Sequence, residues 1–250
     1  MADIKNLTKD ALKDIKLIIF DVDGVLVQRG TRISQRGSIT TLETKHIAPK
    51  QIEQIKKLKE KRFLININSG RGLYMLQEMF REVLDFVSLT YENGSATWNQ
   101  GKIEQHFNSF LYLKDIQDEL CYVKHKNIKG FEPKELIITI HCKDRVSQIE
   151  KISQKYEELY CLWNGEAYDI GVKNLQTKGL GVNNVTKFFN LKKRNVLAIG
   201  DNYNDKELLE QAGIAVSADK ERLKGDYYIP LDGPRLPADI LIEQILKVIK

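Results

Sequence analysis

The chain has 250 residues, of which 42% are hydrophobic and 29% charged, a balance typical of globular proteins that excludes a disordered or collagen-like chain. Its 39 Lys and Arg slightly outnumber 34 Asp and Glu, and the two signs alternate without a dense basic stripe, so we expect no nucleic-acid partner. The apolar stretch at residues 17–20 is too short for a membrane span or a signal-peptide core, so we expect a cytoplasmic protein without membrane contact.

Cysteine and histidine residues do not form a recognisable motif. Cys121, Cys142 and Cys161 are an odd number without a C-x-x-C pair, which argues against a disulfide framework and a zinc site. The four histidines are scattered without ligand spacing and are interpreted as exposed or core residues.

Short apolar runs alternate with amphipathic helices in the first part of the chain. This pattern predicts strands at residues 16–20, 63–67 and 85–89, one helix that begins near Ala48, and a second helix in which apolar residues recur at helical spacing from Leu73 to Val83. The same rhythm returns after Gly171, where it predicts the elements helix 179–189, strand 196–199, helix 205–211 and strand 214–216. Such alternation indicates a parallel sheet with right-handed crossovers and helices on its faces.

A segment of different character lies between these two parts. Its sequence predicts a hairpin at 95–107, a helix, a strand at 136–141, a second helix and one or two strands within 160–170. The predicted fold is therefore α/β, with a Rossmann-like doubly wound core formed by residues 1–93 and 172–250. An inserted α+β domain is expected at residues 94–171.

Acidic residues follow the predicted strands at the sheet edge where ligands of such folds bind. Asp21 and Asp23 are two residues apart, so in extended chain their side chains point to the same side. Two carboxylates this close predict a divalent metal ion, a raised pKa of one carboxyl group, or both. The absence of nearby His or Cys favours Mg²⁺ over zinc, and Asp201 can complete the coordination.

Candidate phosphate contacts occur at two predicted helix starts. Ser69 and the amides of Gly70 and Arg71 follow the second strand, where unpaired N–H groups stabilise an anion. Lys178 would supply a positive charge to the same anion or hold one of the aspartates. Each feature taken singly is common as a helix cap or an exposed lysine, so their combination at one sheet edge carries the prediction.

Four motifs resemble those of the haloacid dehalogenase-like (HAD) superfamily of phosphohydrolases, and the resemblance covers nearly the whole chain. They are Phe-Asp-Val-Asp-Gly-Val-Leu at residues 20–26, Asn-Ser-Gly-Arg at 68–71, Lys178, and Gly-Asp-Asn-Tyr-Asn-Asp at 200–205. The insertion after Glu92-Asn93-Gly94 is similar to the α+β cap of a subgroup that includes Cof-type and sugar-phosphate phosphatases and eukaryotic phosphomannomutase.

The resemblance implies a role for each matching residue. Asp21 would attack phosphorus to form an aspartyl phosphate, while Asp23 would protonate the leaving alcohol and later deprotonate the attacking water. Mg²⁺ would be held by the carboxylates of Asp21 and Asp201 and the main-chain carbonyl of Asp23. The remaining implied site residues are Ser69, Gly70 and Lys178 on the phosphoryl oxygens, with Asn204, Asp205 and Arg71 in support.

Two regions depart from the family pattern. The segment 28–46, with Arg29, Arg32 and Arg36, is longer than usual, and we interpret it as a mobile solvated loop in preference to a source of substrate contacts. The residues around Lys178 match the third motif loosely, which leaves Lys173 and Lys187 as poorer candidates for the phosphate-binding lysine.

The sequence thus predicts a Mg²⁺-dependent enzyme that removes phosphate from a small phosphorylated metabolite, in particular a sugar phosphate. One alternative is a sugar phosphomutase that uses the same nucleophile and returns the phosphate to its substrate. An alternative of another class is a non-catalytic protein that binds a phosphorylated ligand. A receiver-type signalling domain is disfavoured, because such domains are shorter and carry their phosphorylated aspartate on a middle strand.

Overall fold

The structure, a computed structural model, describes residues 1–43 and 45–250. The strands are β1 (Ala2–Asp3), β2 (Leu17–Phe20), β3 (Ile33–Arg36), β4 (Ile39–Leu42), β5 (Leu64–Asn68), β6 (Val87–Tyr91), β7 (Ala96–Asn99), β8 (Lys102–Gln105), β9 (Ile128–Glu132), β10 (Ile138–Cys142), β11 (Leu159–Trp163), β12 (Ala167–Val172), β13 (Val196–Gly200), β14 (Ile214–Ser217) and β15 (Tyr227–Tyr228). The α-helices are α1 (Pro49–Glu60), α2 (Leu73–Met79), α3 (Phe110–Cys121), α4 (Ser147–Ser153), α5 (Lys178–Phe188), α6 (Lys206–Glu210) and α7 (Pro237–Val248).

Among the described residues, nine strands form one large sheet in the spatial order β1-β15-β14-β13-β2-β5-β6-β7-β8. All neighbours from β1 to β6 are parallel. On the central strand β2, Ile18 and Phe20 pack into a core with α1 and α7, whereas Leu17 and Ile19 pack with α5 and α6 on the opposite face. Burial of both faces explains the continuous apolar run, and it confirms the predicted doubly wound α/β fold.

The hairpin formed by β7 and β8 extends the large sheet. Its strand β7 pairs antiparallel with β6, and β8 is the edge strand. The sequence analysis placed this hairpin in the inserted domain, because it breaks the helix and strand rhythm. Its pairing corrects that assignment, and we propose that the inserted unit begins after the hairpin, near residue 107.

A four-stranded antiparallel sheet in the order β11-β12-β10-β9 forms the centre of the inserted unit. Alternate residues of β10 face opposite sides: Ile138 and Ile140 pack against α3 and α4, while Thr139 and His141 lie on the other face. The structure resolves the open alternative within 160–170 in favour of two strands, and it adds β9, which the sequence analysis did not predict.

The segment 28–46 contains a β-hairpin, β3 with β4, so it is not a loop throughout as interpreted from the sequence, although most residues of the hairpin are exposed as expected. Gln35 Oε1 accepts a hydrogen bond from the Phe131 amide of β9 at 3.1 Å, and the Thr31 amide donates to Glu166 Oε2 at 3.1 Å. These contacts attach the segment to the small sheet. Its first residues therefore lie between the small sheet and the carboxyl ends of the parallel strands.

Buried polar side chains join the small sheet to the core. The carboxylate of Glu92 accepts hydrogen bonds from the amides of residues 135–137 at 2.6–3.2 Å. Gln176 donates through Nε2 to Ser95 Oγ at 2.9 Å and to the Leu136 carbonyl at 2.6 Å. These bonds link residues 135–137 of the inserted unit to Glu92 and Gln176, which lie on the chain segments that enter and leave this unit. They therefore hold the polar face of the small sheet opposite the carboxyl ends of the parallel strands.

Within the described part of the chain, none of the helices has the length and apolar composition needed to cross a membrane. The three cysteines are free. Burial raises the pKa of the Cys142 thiol to about 11, which favours the protonated thiol near neutral pH.

Candidate active site

The loop after β2 brings two acidic residues to the sheet edge. The Asp21 amide donates to the Ile199 carbonyl of β13 at 3.1 Å, which holds this residue between the two strand ends. Gly24 then turns the chain with a φ of +86°, and a Cβ at this position would lie 1.8 Å from Asp201 Oδ2. Only glycine therefore allows this loop to approach the loop that follows β13.

Three buried carboxylates converge at this edge. Oxygen atoms of Asp21, Asp201 and Asp205 all lie within 4.8 Å of one another. Lys178 Nζ donates to Asp21 Oδ1 at 2.7 Å and to Asp205 Oδ1 at 2.5 Å. The second oxygen of Asp205 accepts from the amides of Asp201 and Asn202, both at 3.0 Å. Asp205, predicted as a supporting residue, thus orients both the lysine and the loop that carries Asp201.

The negative charge in this cluster exceeds the positive charge of its lysine. Burial raises the pKa of Asp21 well above its ordinary value, and the charges of Asp205 and Asp201 add to this effect against Lys178. Burial and the charge of Asp205 also raise the pKa of Asp201 to about 7, although Arg29 opposes them. A further cation would relieve this repulsion.

Arg29 orients one of the three carboxylates. Its Nε donates to Asp201 Oδ2 at 2.5 Å, and its Nη2 donates to the Asp201 carbonyl at 2.8 Å. The other oxygen, Asp201 Oδ1, is buried and has no hydrogen-bond partner among the described residues. A buried, unpaired carboxylate oxygen beside two more carboxylates is a donor set suited to a hard divalent cation. The residues present therefore fit Mg²⁺.

The second aspartate of the first motif is held outside this cluster. Arg71 donates from Nε to Asp23 Oδ2 at 2.8 Å and from Nη2 to Asp23 Oδ1 at 2.7 Å. The Arg71 side chain is buried, while that of Asp23 is one-third exposed, at 33%. The Asp23 carboxylate does not join the three clustered carboxylates, although this residue lines the same cavity as Asp21 and Asp201.

The turn after β5 differs from its prediction in two respects. Ser69 follows this strand as expected, and its amide donates to the Thr90 carbonyl at 3.0 Å. Helix α2, however, begins at Leu73 with Gly72 as its N-cap, so Ser69 and Gly70 lie in a turn before the helix. The Arg71 amide donates to Ser69 Oγ at 3.2 Å and is not free for an anion. Ser69 and Gly70 line the same cavity as Asp21 and Lys178.

The first residue of α5 is the lysine that reaches the carboxylates. Thr177 caps this helix through Oγ1, which accepts from the Leu180 amide at 3.3 Å, and Asn68 Nδ2 donates to the Lys178 carbonyl at 3.0 Å. The weaker candidates Lys173 and Lys187 are exposed. Helix capping and the bond from the β5 end therefore place Lys178, among these lysines, at the sheet edge.

Residues of the small sheet line the opposite wall of the cavity. They are Glu132, Lys134, Thr139, His141 and Asp169. Sequence reasoning did not identify them, and the only signal was the alternation of polar and apolar residues in β10. On the core side, Asn204 Nδ2 donates to Asn93 Oδ1 at 3.4 Å, so Asn204 contacts a neighbouring loop and lines the cavity.

The comparisons with known proteins agree with this architecture. The profile of the haloacid dehalogenase-like hydrolases matches residues 18–132 and 113–224, so the chain belongs to the haloacid dehalogenase-like hydrolase family. The predicted resemblance is confirmed, and so is the prediction that the chain is an enzyme. No curated protein matches the chain at a significant level.

Several solved structures share the fold across nearly the whole chain. SMU.1108c from Streptococcus mutans UA159 is 18% identical, with a TM-score of 0.71 over 93% of this chain and 99% of that one. BT1666 from Bacteroides thetaiotaomicron, described as a HAD-superfamily phosphatase, is 16% identical, with a TM-score of 0.66 over 93% and 96%. BT4131, described as a HAD subclass IIB sugar phosphatase, is 20% identical, with a TM-score of 0.64 over 93% and 98%.

The raised pKa of Asp201 predicts how stability depends on pH without metal. A carboxyl group with a raised pKa in the folded protein stabilises that state at low pH, and this contribution disappears as pH rises towards about 7. Between about pH 5 and 7.5, we expect the metal-free protein to lose about 2 kcal/mol more unfolding free energy than the Asp201→Asn variant. Urea unfolding in chelator measures this difference. Equal pH dependence of the unfolding free energy in both proteins would contradict the raised pKa of Asp201. The exposed substitution Asp85→Asn serves as the control and should keep the wild-type pH dependence.

Proposed function

We propose that the chain is a Mg²⁺-dependent phosphomonoesterase that acts on a small phosphorylated metabolite through an aspartyl-phosphate intermediate. The observation that carries this proposal is the arrangement around Asp21. Its carboxylate is buried among Asp201, Asp205 and Lys178 and faces a cavity that also contains Asp23. A carboxylate nucleophile beside a lysine, a metal site and a second, separate carboxylate supplies the groups that phosphoryl transfer requires.

Asp21 and Asp23 have different environments, which supports different roles. Asp21 would attack phosphorus with one oxygen while Lys178 holds Oδ1, and the P–O bond to the leaving alcohol would break. Asp23 would donate a proton to that alcohol oxygen, and its conjugate base would then take a proton from the water that hydrolyses the aspartyl phosphate. Arg71 would act as a positioning residue, because its two hydrogen bonds fix the Asp23 carboxylate.

The charge of the transferring group would be compensated from several sides. The Lys178 ammonium, the Ser69 hydroxyl and the Gly70 amide all border the cavity next to Asp21 and would bind the phosphoryl oxygens. Mg²⁺, held by the carboxylates of Asp21 and Asp201 with the Asp23 main-chain carbonyl, would supply further charge neutralisation when bound. Asp205 and Arg29 would keep Lys178 and Asp201 in place.

A sugar phosphate is the substrate class that the surroundings favour. The wall opposite Asp21 consists of hydrogen-bonding side chains from the small sheet, as recognition of hydroxyl groups requires. BT4131, which shares the fold, is described as a sugar phosphatase. We therefore propose the small sheet with its helices as the unit that selects the leaving group.

Phosphate release with and without metal tests this function. We expect the purified protein to hydrolyse p-nitrophenyl phosphate and members of a panel of sugar phosphates in Mg²⁺, and excess EDTA to reduce the rate at least about 100-fold. Adding Mg²⁺ back should restore the rate. Absence of metal-dependent release from every compound would refute the proposal. Stimulation by a sugar bisphosphate with transfer instead of release would identify a phosphomutase.

A further inference from the structure

The face of the small sheet that borders the cavity carries a cluster of ionisable side chains, here called the cap cluster: Glu132, Lys134, His141 and Asp169. Strand pairing brings them together, because Thr139 of β10 lies opposite Asp169 of β12 on one side and opposite Glu132 of β9 on the other. The four side chains are only 3–6% exposed. They approach the aspartates of the core from the opposite wall of one cavity.

Hydrogen bonds inside the cap cluster pair its charges. Lys134 Nζ donates to Thr139 Oγ1 at 2.6 Å and lies 3.5 Å from Glu132 Oε1 and 3.9 Å from Asp169 Oδ1. Thr139 Oγ1 donates to Asp169 Oδ1 at 2.6 Å, and His141 Nε2 donates to Glu132 Oε2 at 2.8 Å. The lysine is thus already flanked by two carboxylates.

A structural role alone does not account for this cluster. Buried ion pairs contribute little to stability compared with apolar residues of similar volume, and the opposite face of the same sheet uses isoleucine and leucine. Two polar atoms also have no hydrogen-bond partner among the described residues, Glu132 Oε1 and His141 Nδ1. Buried atoms of this kind are normally paired, so both residues keep unused hydrogen-bonding capacity beside the cavity that they line.

The charge of the cap cluster limits the charge that a ligand bound beside it can carry. Burial acts to raise the pKa of Glu132, but the charge of Lys134 and the bond from His141 outweigh it and lower this pKa to about 2. Glu132 therefore stays ionised near neutral pH. Arg71 lines the same cavity, but its charge is paired there with the Asp23 carboxylate through Nε and Nη2. A second phosphate or carboxylate would face two carboxylates there.

We propose that the cap cluster selects an uncharged, hydroxyl-bearing leaving group and rejects one that carries a second anionic group. This inference rests on the proposed function, since it concerns the leaving group of the same site. Carboxylate and imidazole acceptors and the ammonium donor match the hydroxyl groups of a polyol, each of which donates and accepts a hydrogen bond. A phosphate monoester that is otherwise neutral satisfies them without a like-charge contact.

Ligands that differ by one phosphate test the inference. In the Asp21→Asn background, which removes the nucleophile, calorimetry in Mg²⁺ should show that fructose 6-phosphate binds at least about tenfold more tightly than fructose 1,6-bisphosphate. Glu132→Gln and Asp169→Asn, each made in that background, should reduce this ratio about tenfold or more, because each removes a repelling charge. Asp144→Asn removes an exposed charge from the same unit and should leave the ratio unchanged.

The outcomes separate this inference from the proposed function. Equal or tighter binding of the bisphosphate in the parent, or a ratio that neither cluster variant alters, would overturn the inference even if the wild type hydrolyses p-nitrophenyl phosphate. Discrimination between the two ligands without any metal-dependent release by the wild type would refute only the proposed function. Two cluster variants are used so that misfolding of one, detected by its thermal unfolding, leaves the other as the test.

Discussion

Replacement of Asp21 by asparagine should abolish phosphate release while leaving the fold intact. An amide does not attack phosphorus, and Asp23 is held by Arg71 away from the clustered carboxylates, so no second nucleophile is in place. We expect kcat to fall by at least about 10⁴-fold, on the scale of other nucleophile deletions. Phosphate release from p-nitrophenyl phosphate and sugar phosphates, measured in Mg²⁺, gives this factor.

Stability distinguishes loss of chemistry from loss of structure in the Asp21→Asn variant. Burial and neighbouring carboxylates disfavour the charge of Asp21, so its removal should not lower the thermal unfolding temperature of the metal-free protein. Lys178 keeps its bond to Asp205. Asp85→Asn, an exposed substitution of the same type, should retain wild-type activity. A rate for Asp21→Asn within about tenfold of wild type would exclude the nucleophile assignment.

Replacement of Lys178 by methionine should destabilise the metal-free protein strongly. Burial acts to lower the pKa of Lys178, but the charges of Asp205 and Asp21 outweigh it and raise this pKa above the ordinary lysine value. The ammonium therefore stabilises the folded state at neutral pH, and this contribution is lost as pH rises through the raised pKa of Lys178. At neutral pH we expect a loss of about 3–5 kcal/mol, or roughly 6–20 °C in the unfolding temperature.

The pH and metal dependence of the Lys178→Met variant test the cause of the loss. The deficit should shrink at acidic pH, where Asp21 takes up a proton, and on addition of Mg²⁺, which would replace the missing positive charge. Lys187→Met on the same helix removes an exposed lysine and should change stability by less than about 0.5 kcal/mol. Thermal unfolding in chelator and in Mg²⁺ provides both comparisons. A Lys178→Met protein as stable as Lys187→Met would refute the buried ion pair.

The regular part of the fold was predictable because local patterns reflect burial. The run at residues 17–20 is buried on both faces, and Ile52, Ile55 and Leu58 face the core from one side of α1. The hairpin at 96–105 was predicted as a hairpin, but its membership of the large sheet depends on pairing with β6. Strand β9 was missed because it is only partly buried and contains Gly130, so its sequence lacks a strand signal.

The residues of the candidate site also divide into those whose proximity the sequence predicts and those that only the folded structure brings together. Asp21, Ser69 and Asp201 each follow a strand, and the carboxyl ends of parallel strands meet at one edge, so their proximity was predictable. The contact of Arg29 with Asp201 joins residues 172 positions apart, through a segment interpreted from sequence as a loop. No local pattern indicates such a pair, since long-range packing decides it.

The sequence by itself determined the α/β class, the order of the core elements and the placement of the acidic residues and candidate phosphate contacts at strand ends and helix starts, because each follows from local periodicity and chain direction. The tertiary structure decided that Asp205 joins the clustered carboxylates while Asp23 pairs with Arg71. It also decided that Glu132 and Asp169 face the cavity beside Lys134. Charge pairing of this kind depends on distances between strands far apart in the chain, and those distances exist only once the sheets have packed.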